Sequence, residues 1–375
     1  MTVLGNARMV TPHGIVENGS VTIEDARIAD VRSGPCPTGS QVVDLGGAWL
    51  LPGFIDMHMH GGGGHDVTAS QADTAAAVAF HVRHGTTRTL VSLVTAALDP
   101  LEHQLGWIAE LANDPASTVL GTHLEGPFLS PVRRGAQNPA YLRTPDRHAF
   151  SDLADAADGT LRSVTLAPEL PGALDLLPDI LAAGAVAAIG HSDATYAQAS
   201  AAIDAGATAA THLFNGMRPL HHREPGIIGA ALRAELACEL INDGVHVHPA
   251  ITSLVARRPA NLVLITDAID AAGVGDGRFR LGGQSVQVRD GQARLDGGSL
   301  AGSTLTMDSA LRRAVVECGL PVDVAAACAA TNPARLLGVG DRCGSITPGL
   351  DADLVVMDDT LHVQRVMVRG TWQVP

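Results

Sequence analysis

The feature that most constrains this chain is a rhythm running from about residue 52 to 345. Short apolar runs alternate with alanine-rich stretches. The runs are Leu50–Met57, Thr89–Val94, Thr118–His123, Leu161–Ala167, Val186–Gly190, Ala207–His212, Cys238–Ile241 and Leu262–Thr266. Continuous apolar runs of this length fit strands covered on both faces. Between them, Ala72–His84, Glu102–Ala112, Leu174–Ala183 and Tyr196–Ala205 read as helices. Gly85, Gly184 and Gly206 follow three of these, as helix C-termini often require. Eight strands alternating with helices predict a (β/α)8 TIM-type barrel. A doubly wound open sheet is the alternative. No G-x-G-x-x-G follows the first run, which disfavours its dinucleotide-binding form.

The two ends of the chain read differently. Val21–Glu24 and Ile28–Val31 are β-rich, with turn residues at Asn18-Gly19 and Glu24-Asp25. Asp353–Met357 and Val363–Val368 are β-rich again, after Pro348-Gly349. These ends predict a small β-sandwich domain built from residues 1–51 and 346–375, with the barrel over 52–345. One interruption falls at about 275–298. There Ser285–Val288 and Gln292–Leu295 flank Asp290-Gly291, a hairpin signal, so a β-hairpin insertion is expected after the eighth strand.

Composition narrows the function. Of the 375 residues, 46% are hydrophobic and 17% charged, which fits a soluble globular enzyme. No apolar run approaches the roughly 18 residues of a membrane span, and no basic start precedes an apolar stretch as in a secretory signal. The five cysteines, Cys36, Cys238, Cys318, Cys328 and Cys343, lack CxxC pairing. That argues against a disulfide framework and for the cytoplasm. A net charge of −14 disfavours nucleic acid and anionic membranes as partners. It also means that an anionic substrate would need a local cationic site. All 25 basic residues are Arg; the chain has no lysine, so any mechanism that needs one is excluded.

In a barrel the chemistry sits at the C-terminal ends of the strands. The first run ends in Asp56-Met57-His58-Met59-His60. Residues two apart in a strand share a face, so both imidazoles can reach one metal. The third run ends in His123-Leu124-Glu125, the fifth in Gly190-His191, the sixth in Thr211-His212 and the eighth in Thr266-Asp267. A lone histidine at a strand end is more often a hydrogen-bonded structural residue than a ligand. The joint pattern says more. His58, His60, Glu125, His191, His212 and Asp267 suit Zn²⁺ or Fe²⁺, and six such groups exceed one tetrahedral site.

The segments Pro52-Gly53-Phe54-Ile55-Asp56-Met57-His58-Met59-His60, His123-Leu124-Glu125-Gly126-Pro127-Phe128, Leu166-Ala167-Pro168-Glu169, Thr211-His212-Leu213-Phe214-Asn215-Gly216-Met217, Arg223-Glu224-Pro225-Gly226 and Leu264-Ile265-Thr266-Asp267-Ala268 resemble the N-acetylglucosamine-6-phosphate deacetylase branch of the amidohydrolase superfamily. The resemblance covers about Leu51 to Gly349, in order. It implies hydrolysis of the N-acetyl amide of N-acetylglucosamine 6-phosphate, in amino-sugar catabolism and cell-wall recycling. It implies two divalent metals per subunit, Zn or Fe, with Co or Mn as further candidates. His58 and His60 would bind one metal with Asp267; His191 and His212 would bind the other; Glu125 would bridge. The absence of lysine agrees with this branch, where a strand-three glutamate replaces the carboxylated lysine of other binuclear members. Asp267 would act as base, then acid.

The same resemblance assigns substrate contacts. Arg223, Asn215 and the Gly216 backbone would meet the phosphate. His246 would reach it from a neighbouring subunit, which implies a homodimer with shared sites. Gln137 stands where some members have His, so it could donate to the acetyl carbonyl but never as a cation. The loop Ser130–Gln137 reads as a possible lid, and Gly61–Gly64 as a flexible turn beside the metals. Two rivals stay open: another amidohydrolase (a deaminase, a dihydroorotase-like enzyme or an aminoacylase) and a non-catalytic assembly protein on the same scaffold.

Overall fold

The computed structural model describes residues 1–34 and 42–374; Cys36 lies outside the described residues. Eight parallel strands form the barrel in sequence order: Phe54–Asp56, Thr86–Val94, Val119–Glu125, Leu161–Leu166, Val186–Ile189, Ala209–Ala210, Ala237–Ile241 and Leu262–Ile265. Helices Gln71–Arg83, Leu98–Asn113, Ala173–Ala182 and Tyr196–Asp204 lie where the alanine-rich stretches predict them. Gly85, Gly184 and Gly206 follow three of them at φ +88°, +76° and +110°, conformations that favour glycine.

Closure between the eighth and first strands uses residues just beyond both. Asp267 N donates to His58 O and His60 N donates to Ala268 O, each at 2.8 Å. Beneath them the buried Asp56 carboxylate accepts the Thr266 hydroxyl at 2.6 Å and the backbone N–H groups of Thr266 and His58 at 3.2 Å. The segments that complete the barrel are therefore those that carry His58, His60 and Asp267.

The apolar run Leu50–Met57, expected as one strand, is divided at Gly53. Trp49–Pro52 pairs antiparallel with Leu354–Met357 in the terminal sheet, and Phe54–Asp56 opens the barrel. A Cβ at Gly53 would stand 2.1 Å from Thr87 Oγ1, so only glycine passes between the layers here. The terminal sheet runs Thr371–Trp372, Val363–Val368, Leu354–Met357, Trp49–Pro52, Thr2–Thr11, Gly14–Glu24, Arg27–Ser33, with Val42–Asp44 also on Thr2–Thr11. Both chain ends thus share one sheet. Arg88, on the second barrel strand, ties it to the barrel: buried, it donates to Asp353 Oδ2 at 2.7 Å and Asp351 Oδ2 at 2.8 Å.

After the eighth strand, the expected hairpin is a three-stranded sheet, Gly277–Leu281, Gln284–Arg289 and Gln292–Leu295. The added strand joins through Gly282-Gly283, at φ +54° and +77°, and the second turn through Asp290-Gly291, at φ +51° and +70°. Positive φ at both central residues is the tight hairpin geometry that matches strand twist. Leu281, Val286, Val288 and Ala293 pack on Val94, Ile269 and Ala301, seating the insertion over the barrel mouth. No described helix is long and apolar enough to cross a membrane.

Candidate metal and substrate site

Six side chains from five strand ends converge. His58 Nε2 and His60 Nε2 lie 3.0 Å apart. His191 Nε2 and His212 Nε2 lie 3.1 Å apart, and each is 3.0 Å from Glu125 Oε1. Glu125 Oε2 is 3.3 Å from His60 Nε2, and Asp267 Oδ1 is 3.2 Å from it and 3.5 Å from His58 Nε2. Glu125 therefore stands between two histidine pairs, with Asp267 beside the first. All six are buried.

The far ring nitrogens show which way the imidazoles are held. His60 Nδ1 meets Ser92 O at 3.0 Å, and His191 Nδ1 meets Arg133 O at 2.9 Å. Each carbonyl can only accept, so the proton sits on Nδ1 and the Nε2 lone pair points inward. Lone pairs facing one another at about 3 Å beside two carboxylates are the donor set that a divalent cation needs. His58, His60 and Glu125 form one such group, and Glu125, His191 and His212 the other. The residues fit the metal.

Electrostatics agree. Burial by itself would lower the pKa of His60, but Asp267 and Glu125 outweigh it and hold the ring up at about 9. Burial would raise Asp267, but His58 and His60 hold that carboxyl down, to about 2. Without a metal, protons on the histidines balance the two carboxylates; with one, the cation takes their place.

The backbone at three of these positions is unusual. His191, His212 and Asp267 have φ +45°, +29° and +50°. Left-handed backbone at non-glycine residues costs on the order of 1–3 kcal/mol each and persists only where surroundings impose it. Here it turns the chain at the strand end and aims the side chain into the mouth. Glu169 supports one such turn, accepting the Ser192 hydroxyl at 2.7 Å and Asp193 N at 2.6 Å.

A cavity of about 310 Å³ opens on this cluster, lined by His60, Glu125, Gln137, His191, His212 and Asp267, together with Asn215, Gly216 and His246. Gly216, at φ +59°, must be glycine, since a Cβ would meet His191 Nδ1 at 2.7 Å. The segment Ser130–Gln137, read as a lid, contacts the fifth strand's end: Ser130 N donates to His191 O at 2.9 Å, and Arg133 pairs with Asp193 at 2.7 Å. Gly61–Gly64 contains the expected turn, at Gly63-Gly64 with φ +62° and +90°. Gly61 and Gly62 pair with His65 and Asp66, and a Cβ on either would strike Asp270 or Phe80 and His81.

Two residues stand elsewhere than expected. His246, expected from a neighbouring subunit, lines the cavity of its own chain, with Nδ1 held by Asp243 Oδ2 at 2.7 Å. Arg223, expected at the phosphate, is exposed, lies outside the lining and hydrogen-bonds His222. Among the described residues no arginine lines the cavity. The reason is topological: His246 follows the seventh strand at the barrel mouth, while Arg223 sits on the outer rim before helix Gly226–Arg233. Sequence reasoning also missed Leu281 of the insertion and Ser299 and Leu300 just after it, which line the cavity, and Glu239, which contacts His58 and His212. An acidic residue inside the apolar run Cys238–Ile241 was the available signal for Glu239.

The Amidohydrolase family profile matches residues 49–372. The chain is 40% identical to the N-acetylgalactosamine-6-phosphate deacetylase of Escherichia coli O157:H7 over 98% of each chain. It is 38% identical to the N-acetylglucosamine-6-phosphate deacetylase of Bacillus subtilis (strain 168), over 96% of this chain and 94% of that one. The solved structure of a mutant N-acetyl-D-glucosamine-6-phosphate deacetylase from Mycobacterium smegmatis, in complex with N-acetyl-D-glucosamine-6-phosphate, superposes with a TM-score of 0.95 at 43% identity, covering 99% of this chain and 98% of that one. The chain therefore belongs to the amidohydrolase family and, within it, to the N-acetylglucosamine-6-phosphate deacetylase group.

Proposed function

We propose that this protein hydrolyses the N-acetyl amide of N-acetylglucosamine 6-phosphate to glucosamine 6-phosphate and acetate. The observation that carries the reading is the meeting of two histidine pairs on Glu125, beside an ionised Asp267, in a cavity large enough for one sugar. His58 and His60, with Asp267, would hold one divalent metal; His191 and His212 would hold a second; Glu125 would bridge them. Zn²⁺, Fe²⁺ and Co²⁺ all suit this donor set. A divalent ion held here acidifies water and polarises a carbonyl oxygen.

The chain's own residues do the rest. Asp267 accepts a proton from the attacking water and returns it to the departing nitrogen, which must be protonated to leave. Gln137 keeps an amide N–H for the acetyl oxygen. Asn215, the Gly216 N–H and His246, which line the same cavity, would receive the phosphate. Among the described residues the lining holds no guanidinium, and Arg223 is exposed. A homodimer in which each subunit lends Arg223 to the other's cavity would supply the charge that a protein of net −14 otherwise denies a phosphate. The absence of a paired-cysteine framework among the described residues fits a reducing compartment such as the cytoplasm.

Free-amine release tests this, from N-acetylglucosamine 6-phosphate, its galacto epimer and unphosphorylated N-acetylglucosamine, with and without chelator. Chelator-sensitive release that strongly favours N-acetylglucosamine 6-phosphate supports the reading, and a preference for the galacto epimer would move the substrate to that sugar. The galacto epimer belongs in the comparison because a relative at 40% identity bears that substrate in its name. Protein shown to hold metal yet inactive on all three would return the chain to the other amidohydrolase substrates.

A further inference from the structure

The seventh barrel strand carries a carboxylate that the chemistry above does not use. Glu239 is completely buried within Ala237–Ile241. Its Oε2 lies 3.3 Å from His58 Nδ1 and 3.4 Å from the backbone N of His212. Its own carbonyl accepts Leu213 N at 2.8 Å. The side chain therefore stands behind one histidine of each pair.

Two buried polar atoms at this spot have no partner: Glu239 Oε1 and His212 Nδ1. His212 faces Glu125 and His191 through Nε2, at 3.0 and 3.1 Å, so Nε2 is its ligating nitrogen. A neutral imidazole that ligates through Nε2 carries its proton on Nδ1. One orphan is then a donor and the other an acceptor, and a buried group of either kind left unpaired costs about 1–3 kcal/mol. The other two histidines need no such help, because Ser92 O and Arg133 O already hold their Nδ1 atoms.

We propose that Glu239 is a positioning residue shared by both metal-binding pairs, accepting the Nδ1–H of His58 on one oxygen and that of His212 on the other. A carboxylate behind a histidine fixes its tautomer, orients the ring and raises its basicity as a ligand. One carboxylate behind two histidines makes both pairs depend on a single side chain. The inference rests on the two-metal reading of these histidines.

The test is an equilibrium titration of metal-stripped protein with Co²⁺ against a competing chelator, native beside Glu239→Gln. Glutamine keeps the shape but offers one acceptor oxygen and presents an NH₂ to the other Nδ1–H. Both binding steps should weaken roughly 10–100-fold, with the far-ultraviolet circular dichroism of the metal-free protein unchanged and partial recovery in Glu239→Asp. Weakening of one step alone, or of neither, overturns the shared role. Native protein that binds no metal would remove the proposal together with the reading beneath it, and the native titration tells these failures apart. Should Glu239→Gln not fold, nitrogen-15 histidine spectra of native Zn²⁺-loaded protein decide. Slowly exchanging Nδ1–H signals are expected from His58 and His212, and a His212 without that proton overturns the proposal.

Discussion

Gln137 donates from Nε2 to Glu125 Oε2 at 2.6 Å, while its own Oε1 accepts the Thr95 backbone N–H at 2.8 Å. The Thr95 contact decides which way the amide faces, so the NH₂ group meets the carboxylate and its second hydrogen is left for the cavity. Gln137 therefore fixes the group on which both histidine pairs meet. Gln137→Ala should lower kcat roughly 10–100-fold with little change in KM. Steady-state kinetics checks this; a native kcat would release Gln137 from the site.

Asp267 is held as an anion by His58 and His60 despite its burial. Asp267→Asn removes the proton acceptor and keeps an oxygen toward His60. Turnover should fall on the order of 10²–10⁴-fold, with metal content near native by elemental analysis. Undiminished turnover would take Asp267 out of the proton transfer.

Arg223 is exposed on its own chain and absent from its own cavity. Arg223→Ala should raise KM for the phosphorylated sugar roughly 10–100-fold, the loss of a charge-assisted contact of about 1.5–3 kcal/mol. The unphosphorylated sugar should be indifferent. Co-expression with Asp267→Asn should bring back a component of near-native KM through mixed dimers, each holding one intact site. Mixtures that keep only the raised KM of Arg223→Ala would place Arg223 and Asp267 in the same chain's site.

His81 is buried, with Nε2 on Gly61 O at 2.9 Å and Nδ1 unpartnered. Burial lowers its pKa to about 4, with nearby His84 adding to the shift and the Gly61 carbonyl and Asp308 opposing it. The folded pKa is below the unfolded value, so the unfolded chain binds the extra proton. Stability is then present above the unfolded pKa of about 6.5 and is lost as pH falls toward 4. Between pH 7 and 5 this residue should contribute a loss of about 2 kcal/mol. Urea midpoints at the two pH values, compared with His81→Gln, measure it; an equal drop in the variant would assign the effect elsewhere.

Arg88 joins barrel to terminal sheet through the buried carboxylate of Asp353 and the partly buried one of Asp351. Arg88→Ala strands both charges and should destabilise by about 3–5 kcal/mol. Replacing Asp353 with Asn as well should recover part of the loss in chemical denaturation, since the second change removes a stranded charge.

Much of this architecture is written locally. Alternating apolar runs and alanine-rich stretches, with Gly85, Gly184 and Gly206 after helices, determine barrel strands and helices because the covered faces and the left-handed caps need only neighbours in sequence. The donor types at strand ends, from His58 to Asp267, are legible for the same reason: a strand's end and face follow from its period. Other features depend on distant contacts. The division of Leu50–Met57 at Gly53 arises from Thr87, which periodicity does not see. The left-handed backbone of His191, His212 and Asp267 is held by tertiary surroundings, not by propensity, which opposes it. Closure also decides that Glu239 stands behind two pairs, that His246 faces its own cavity and that Arg223 does not. Sequence by itself determined which chemistry this protein carries, since residue type and local period are sequence properties. Only the tertiary structure decided which atoms meet, because that depends on chain segments far apart in sequence closing one barrel.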